Sequence, residues 1–116
     1  MGYTLRIRPD RERELRAELD RIVNVLRERG DVEKVILFGS LARGEVTSTS
    51  DIDLIIVQDT DKPFLERLHD IYSSVVPKKA LDVLVYTPDE FQSLKEDRSF
   101  VKRALKEGRV LYAKEP

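Results

Sequence analysis

Three aspartates and a glycine-serine pair are the residues of this chain whose types and spacing suit phosphoryl chemistry. Asp51 and Asp53 stand at the head of the apolar run Ile52 to Val57, and Asp82 is the second residue of the run Leu81 to Tyr86. In a strand, residues i and i+2 point to one side of the sheet. Asp51 and Asp53 are therefore expected to project together, with Cα atoms roughly 6.5 Å apart and Ile52 facing the other way. Two bare carboxylates so placed repel each other, which makes sense if a cation neutralises them. Carboxylates with this spacing can converge on divalent ions, which two-metal phosphoryl sites hold about 3.5–4 Å apart. Asp82 is the candidate third ligand, because an alternating apolar strand has no local use for a charge there. If its strand pairs with that of Asp51, the carboxylate reaches the same face. A carboxylate beside the attacking atom could also take a proton from an acceptor hydroxyl.

The glycine-serine pair supplies the complementary half. Gly39 lets the backbone come close to a ligand. Free N–H groups at a helix start favour anions, and Ser40 adds a hydroxyl donor. Arg43, one turn further on, could neutralise triphosphate charge or be an ordinary surface charge. Taken alone, an Asp-x-Asp favours solvated charges at a strand end, but the Gly-Ser turn twelve residues upstream shifts the balance to metal binding. Other phosphate and metal motifs fail on detail. Gly39 and Gly44 have Walker A spacing, but Glu45 and Val46 stand where Lys and Ser/Thr are required. The GxGxxG pattern is absent, and Asp51 and Asp53 lack the remaining ligands of an EF-hand loop.

Positioning these groups requires strands and helices in alternation. Leu15, Leu19, Ile22, Val23 and Leu26 recur at helical steps, predicting a helix over Asp10 to Arg29, with Asp10 as N-cap and Gly30 as the stop. Tyr3 to Arg8 alternates and reads as a short edge strand or an arm. Val35 to Phe38 reads as a strand, Leu41 to Arg43 as a short helix, and Gly44 to Ser50 as a loop. Ile52 to Val57 is apolar on both faces and belongs in the middle of a sheet. A second amphipathic helix runs from Pro63 to about Val75, with Pro63 in its first turn, and Leu81 to Tyr86 is a third strand. Thr87-Pro88-Asp89-Glu90 is a helix start with a capping box. A last helix runs from about Ser99 to Glu107 and stops at Gly108, and Val110 to Tyr112 adds a short strand. The order predicts an α+β fold, with a small mixed sheet and helices packed on one face.

Composition narrows the chemistry. The 116 residues suit one domain over 1–116, with a core at about 10–107. The net charge of −1 provides no overall basic field for nucleic acid, so a long nucleic-acid partner is disfavoured without being excluded. With no cysteine and one histidine, a thiolate or ordinary zinc site is not expected. Any metal must be held by oxygen, which points to magnesium, manganese or calcium. No apolar run spans a bilayer and the N-terminus has no signal-peptide pattern, so no membrane partner and a cytoplasmic location are expected. His69 reads as a solvent-facing or packing residue, Lys78 and Lys79 as a solvated turn with contact to nucleotide or nucleic acid as the alternative, and the tyrosines and phenylalanines as core or partner surface.

The stretch GSLARGEVTSTSDIDL, followed by Asp82 one strand later, resembles the nucleotidyltransferase superfamily that includes DNA polymerase beta and kanamycin nucleotidyltransferase. The match is closest to the minimal prokaryotic members. The resemblance covers roughly Asp10 to Glu107. It implies that Asp51, Asp53 and Asp82 hold two Mg2+ ions, with Mn2+ as an alternative, and that Gly39 and Ser40 bind a nucleoside triphosphate, with ATP first in line. It implies attack by an acceptor on the α-phosphate with release of pyrophosphate. It further implies a separate helical partner of the HEPN type, in an antitoxin role in which the toxin is modified with AMP. The alternative is a non-catalytic regulatory or antitoxin module with a vestigial nucleotide site. A homo-oligomer is a further expectation, since so small a domain can leave apolar surface exposed.

Overall fold

The computed structural model describes residues 7–96 and 100–115, with the side chain of Phe100 left aside. Nine elements follow one another: α1 (Pro9–Arg27), β1 (Val32–Phe38), α2 (Gly39–Arg43), β2 (Ile52–Gln58), α3 (Phe64–Val75), β3 (Leu81–Tyr86), α4 (Pro88–Lys95), α5 (Phe100–Glu107) and β4 (Arg109–Ala113). The strands form one mixed sheet in the order β3-β2-β1-β4. β1 runs antiparallel to both β2 and β4, whereas β2 and β3 are parallel. A parallel pair needs a crossover, and α3 supplies it.

β2 reads as an unbroken apolar run because both its faces are covered. Ile52, Leu54 and Ile56 join Val35, Leu37, Val83 and Val85 in a core closed by the α1 stripe and by Ile71 and Val75 of α3. Ile55 and Val57 point the other way. They pack with Ile36 against Phe91 of α4 and with Val101 and Ala104 of α5. The α+β class is as expected. The packing of helices on one face holds for α1, α3 and the buried residues Leu41 and Ala42 of α2, whereas α4 and α5 form a second, smaller layer on the opposite face.

Several boundaries differ from the local reading for identifiable reasons. α1 begins at Pro9, not at an Asp10 cap. Arg8 is the capping residue, makes no side-chain cap, and donates its backbone N–H to Val46 at 2.8 Å. Proline suits the first helical position because it has no N–H to leave unsatisfied. The helix ends at Arg27 with Glu28 as its cap, two residues before Gly30. Pro63 is the cap residue of α3 and lies outside its first turn. β1 starts at Val32, three residues earlier than its apolar run suggests, because Val32 is buried and pairs with Gln58. Within the proposed N-terminal strand, residues 3–6 lie outside the described set.

The capping box at α4 is as read. The Thr87 side chain accepts from Glu90 N, and the Glu90 carboxylate accepts from Thr87 N. Glu90 also takes both terminal nitrogens of the buried Arg67, at 2.7 and 3.2 Å, tying α4 to α3. Thr87→Ala is therefore expected to cost about 1 kcal/mol, the usual price of a lost cap. Glu90→Ala, which also strands a buried guanidinium, is expected to cost about twice that or more. Urea unfolding of the two variants checks the ranking.

Candidate functional site

β2 and β3 bring two of the aspartates together. Asp53 is the register partner of Asp82 across the parallel pair, one step beyond Ile52 and Leu81. Asp53 lies on the face that carries Ile55 and Val57, and Asp82 on the face that carries Leu84 and Tyr86, which is the α4/α5 side. Asp51 directly precedes β2 and is half-buried; Asp82 is exposed. Among the described residues, none of the three carboxylates has a hydrogen bond or an ion pair.

The electrostatics record their proximity. Burial first, and then the like charges of Asp82 and Asp51, push the Asp53 carboxyl up to about 6, against the pull of Arg43. Each neighbouring charge disfavours ionisation of the next. Among the described residues, no three acidic or histidine side chains close around one point as a finished metal cage. What β2 and β3 provide is an open carboxylate edge.

Gly39 packs directly behind that edge. Phe38, the last residue of β1, pairs with Asp53, and the chain then turns through Gly39 at φ +77° into α2. A Cβ at Gly39 would overlap the Asp53 carboxylate oxygen Oδ2. Glycine is thus required both for the backbone conformation and for the close approach. Ser40 follows, half-buried, and among the described residues its hydroxyl has no protein partner. α2 ends at Gly44, another left-handed glycine, whose N–H bonds to Leu41 O. The loop that leads back to Asp51 is ordered: Val46 is fully buried, and Ser50 accepts from Thr47 N at 2.8 Å through its hydroxyl.

Arg43 reaches Glu45 at 3.3 Å and Glu107 at 3.8 Å. It lines a cleft of about 320 Å3 with Phe38, Gly39, Arg103, Ala104 and Glu107. The site's cation is therefore shared between two glutamates and the field of Asp53. Arg103 and Glu107, both from α5, were not singled out in the sequence, where they look like solvated charges on an amphipathic helix. Only the packing of α5 beside α2 reveals them. His69 is exposed on α3 and borders a separate cleft with Lys62, Glu66, Asp70 and Ser73, in keeping with a solvated role.

With this geometry in view, the comparisons with known proteins are decisive. The nucleotidyltransferase domain model matches residues 19–112. The chain belongs to the nucleotidyltransferase family. A curated relative from Methanocaldococcus jannaschii, named "Putative protein adenylyltransferase MJ0604", is 39% identical over 93 residues, covering 78% of this chain and 90% of that protein. A second from the same organism, "Putative protein adenylyltransferase MJ1379", is 27% identical over 99 residues, covering 76% and 95%. Among solved structures, a nucleotidyltransferase described as putative, from Sulfolobus solfataricus, superposes with a TM-score of 0.62 at 23% identity, covering 89% of this chain and 84% of that one. A chain of the toxin-antitoxin pair MntA-HpeT superposes with a TM-score of 0.53 at 19% identity, covering 84% and 73%. Both structures bear on the fold. Among the described residues, no helix of this nucleotidyltransferase is long and apolar enough to cross a membrane.

The raised pKa of Asp53 has a consequence for stability. A carboxyl whose folded pKa lies above its unfolded value contributes stability that is present below the unfolded pKa of 3.8 and lost as pH rises through about 6. At pH 7 without a divalent ion, ionised Asp53 is therefore a liability. The full shift would be worth about 3 kcal/mol, but the group is partly solvated and its field is screened, so about 1 kcal/mol is expected. Asp53→Asn should raise Tm in chelator by a few degrees above pH 6 and lose that advantage below pH 4. Calorimetric scans across pH 3.5–8 test this; indistinguishable pH profiles for parent and variant would show that neither burial nor the neighbouring carboxylates raise the Asp53 carboxyl.

Proposed function

We propose that this nucleotidyltransferase moves AMP from ATP onto a hydroxyl of a protein partner, using Asp51, Asp53 and Asp82 to hold two magnesium ions. The observation that carries the proposal is the pairing of Asp53 with Asp82 in adjacent strands, with Gly39 backed onto the Asp53 carboxylate. The donor set fits a hard cation, since it offers carboxylate oxygens and, among the described residues, no protein cation is bonded to them. Magnesium is bound by one or two carboxylates together with substrate phosphates and water, so an open edge suits it better than a closed cage; manganese would substitute. When bound, the ions would screen the triphosphate oxygens and stabilise the charge that develops at the attacking and leaving oxygens.

The chain's own groups have distinct tasks. Gly39 allows the backbone to come close to the triphosphate, and the Ser40 hydroxyl donates to a phosphate oxygen. Arg43 turns from Glu45 and Glu107 towards the added negative charge. The acceptor oxygen forms a bond to the α-phosphorus. The bond from that phosphorus to the bridging oxygen breaks, and pyrophosphate leaves with the electron pair. The hydroxyl proton passes to Asp82, the most exposed of the three carboxylates. Catalysis of this kind rests on positioning and charge stabilisation, with no covalent intermediate on the protein.

A protein acceptor is favoured by the adenylyltransferase relatives named above, and a helical HEPN-type toxin as that acceptor is in keeping with the toxin-antitoxin likeness. The test uses ATP labelled at the α-phosphate, magnesium, this chain and a HEPN-type partner. Label is expected on the partner, absent in chelator, and reduced by roughly 100-fold or more when Asp51 and Asp53 are both changed to Asn. Undiminished labelling by the double variant would refute the assignment of the carboxylates. Tight association with the partner but no label would favour a non-catalytic antitoxin.

A further inference from the structure

Helix α1 contributes none of the residues assigned above to the reaction, yet its polar flank reaches the backbone of every segment that carries them. Arg16 donates through Nη2 to the carbonyl of Leu41, inside α2 and next to Ser40, at 3.2 Å. Arg11 donates through Nη2 to the carbonyl of Ser50, the residue before Asp51, also at 3.2 Å. Glu18, buried in the same helix, accepts the N–H of Lys78 at 2.5 Å, in the turn that leads into β3 and Asp82. Arg21 holds Glu18 with two bonds, at 2.8 and 2.9 Å, and donates to Val76 O, the first residue of that turn, at 3.2 Å.

These contacts replace what regular secondary structure does not supply. α2 is five residues long, so it offers few internal hydrogen bonds. Ser50 and Lys78 lie in loops, where backbone groups have no sheet ladder to hold them. Val76 adopts φ +43°, a costly conformation for a β-branched residue that must be held from outside. Desolvation adds to the cost of the arrangement: Glu18 is a buried charge, and the Arg11 Nε is buried without a partner among the described residues.

We propose that α1 is the positioning helix of the site. Arg16 holds the glycine-serine turn, Arg11 holds the approach to Asp51 and Asp53, and Glu18 with Arg21 holds the approach to Asp82. These are positioning residues, since they act through the backbone of the groups that would meet substrate. The proposal rests on the functional reading above for the meaning of the site, and on the hydrogen bonds alone for the mechanical claim.

Each clamp touches a different segment, so each variant should have its own signature. In hydrogen-exchange mass spectrometry of the full chain without ligand, Arg16→Gln should speed exchange over residues 39–45 and leave 47–53 near the parent. Arg11→Gln should do the reverse. Both should weaken magnesium-ATP binding, measured by calorimetry, on the order of 10-fold with little change in Tm, as outer-layer substitutions around metal sites do. Arg16→Lys, which keeps a donor, should recover part of the affinity. Exchange that rises uniformly over the whole chain, or variants that equal the parent in both local exchange and magnesium-ATP affinity, would overturn the proposal. A parent chain that does not bind magnesium-ATP would refute the functional reading instead, while the local exchange pattern still decides whether the arginines hold these segments.

Discussion

The like-charge contact between Asp53 and Asp82 organises this molecule. Adjacent parallel strands place Asp53 and Asp82 in register, Asp51 adds a third charge at the head of β2, and Gly39, having no side chain, packs closely behind the Asp53 carboxylate. Further along the same face, Phe91, Val101 and Ala104 close an apolar layer that withdraws water from Ile55 and Val57. Burial of Asp53 beside this layer is the main reason that its carboxyl is pushed upward, and repulsion from Asp82 and Asp51, stronger here than in bulk water, adds to it. Among the described residues these carboxylates have no hydrogen-bonded or ion-paired partner, and Arg43 only partly offsets the effect on Asp53; in the proposed function a cation and a polyanionic substrate complete this edge. That expresses the nucleotidyltransferase assignment in terms of forces.

The opposite end of β2 shows what the fold does with acids that have only a structural task. There Asp31 and Asp70 share Arg29, at 2.8 and 2.7 Å, and both accept from the buried Gln58 amide. The Arg29 guanidinium holds both carboxyls below their ordinary range, Asp70 at about 2. A satisfied acidic cluster thus gathers around Gln58 at the end of β2, while the carboxylates around the start of β2 have no bonded partner among the described residues. The first ties α3 and the β1 entry to the sheet. The contrast argues that the bare carboxylates are not a failure of pairing general to this surface, since paired acids are held a few residues away.

Much of this was legible in the residues because it is local. The Asp-x-Asp spacing places two charges on one side of a strand, Thr87 to Glu90 writes its own capping box, and the α1 stripe has helical period. The proximity of Asp82 was not legible in the same way. It depends on β3 pairing with β2 in parallel and in a register that sets Asp82 against Asp53, and only the crossover through α3 fixes that register. The second helical layer was missed although its signal was present. A strand apolar on both faces, as Ile52 to Val57 is, demands cover on both, and α4 and α5 provide it. Arg11, Arg16 and Glu18 are illegible for a different reason. On a helix as charged as α1 they resemble the solvated residues around them, and only the tertiary placement of Leu41, Ser50 and Lys78 distinguishes them.

That placement bears on how so short a chain can hold a site at all. The groups assigned to chemistry lie at strand ends and in a five-residue helix, where the fold is least able to restrain them. α1 answers from two sides. Leu15, Leu19, Ile22, Val23 and Leu26 anchor it in the larger core, while its flank spends hydrogen bonds on three separate approaches to the site. A rigid helix fixed by burial transmits its own order to loops that have little, so long as the connecting bonds are directional and tolerate little movement. Guanidinium-to-carbonyl and carboxylate-to-amide bonds meet that condition, being charge-assisted at one end. On this physical account, the ordering of the acidic edge depends less on the residues flanking the aspartates than on a helix that begins some forty residues before them.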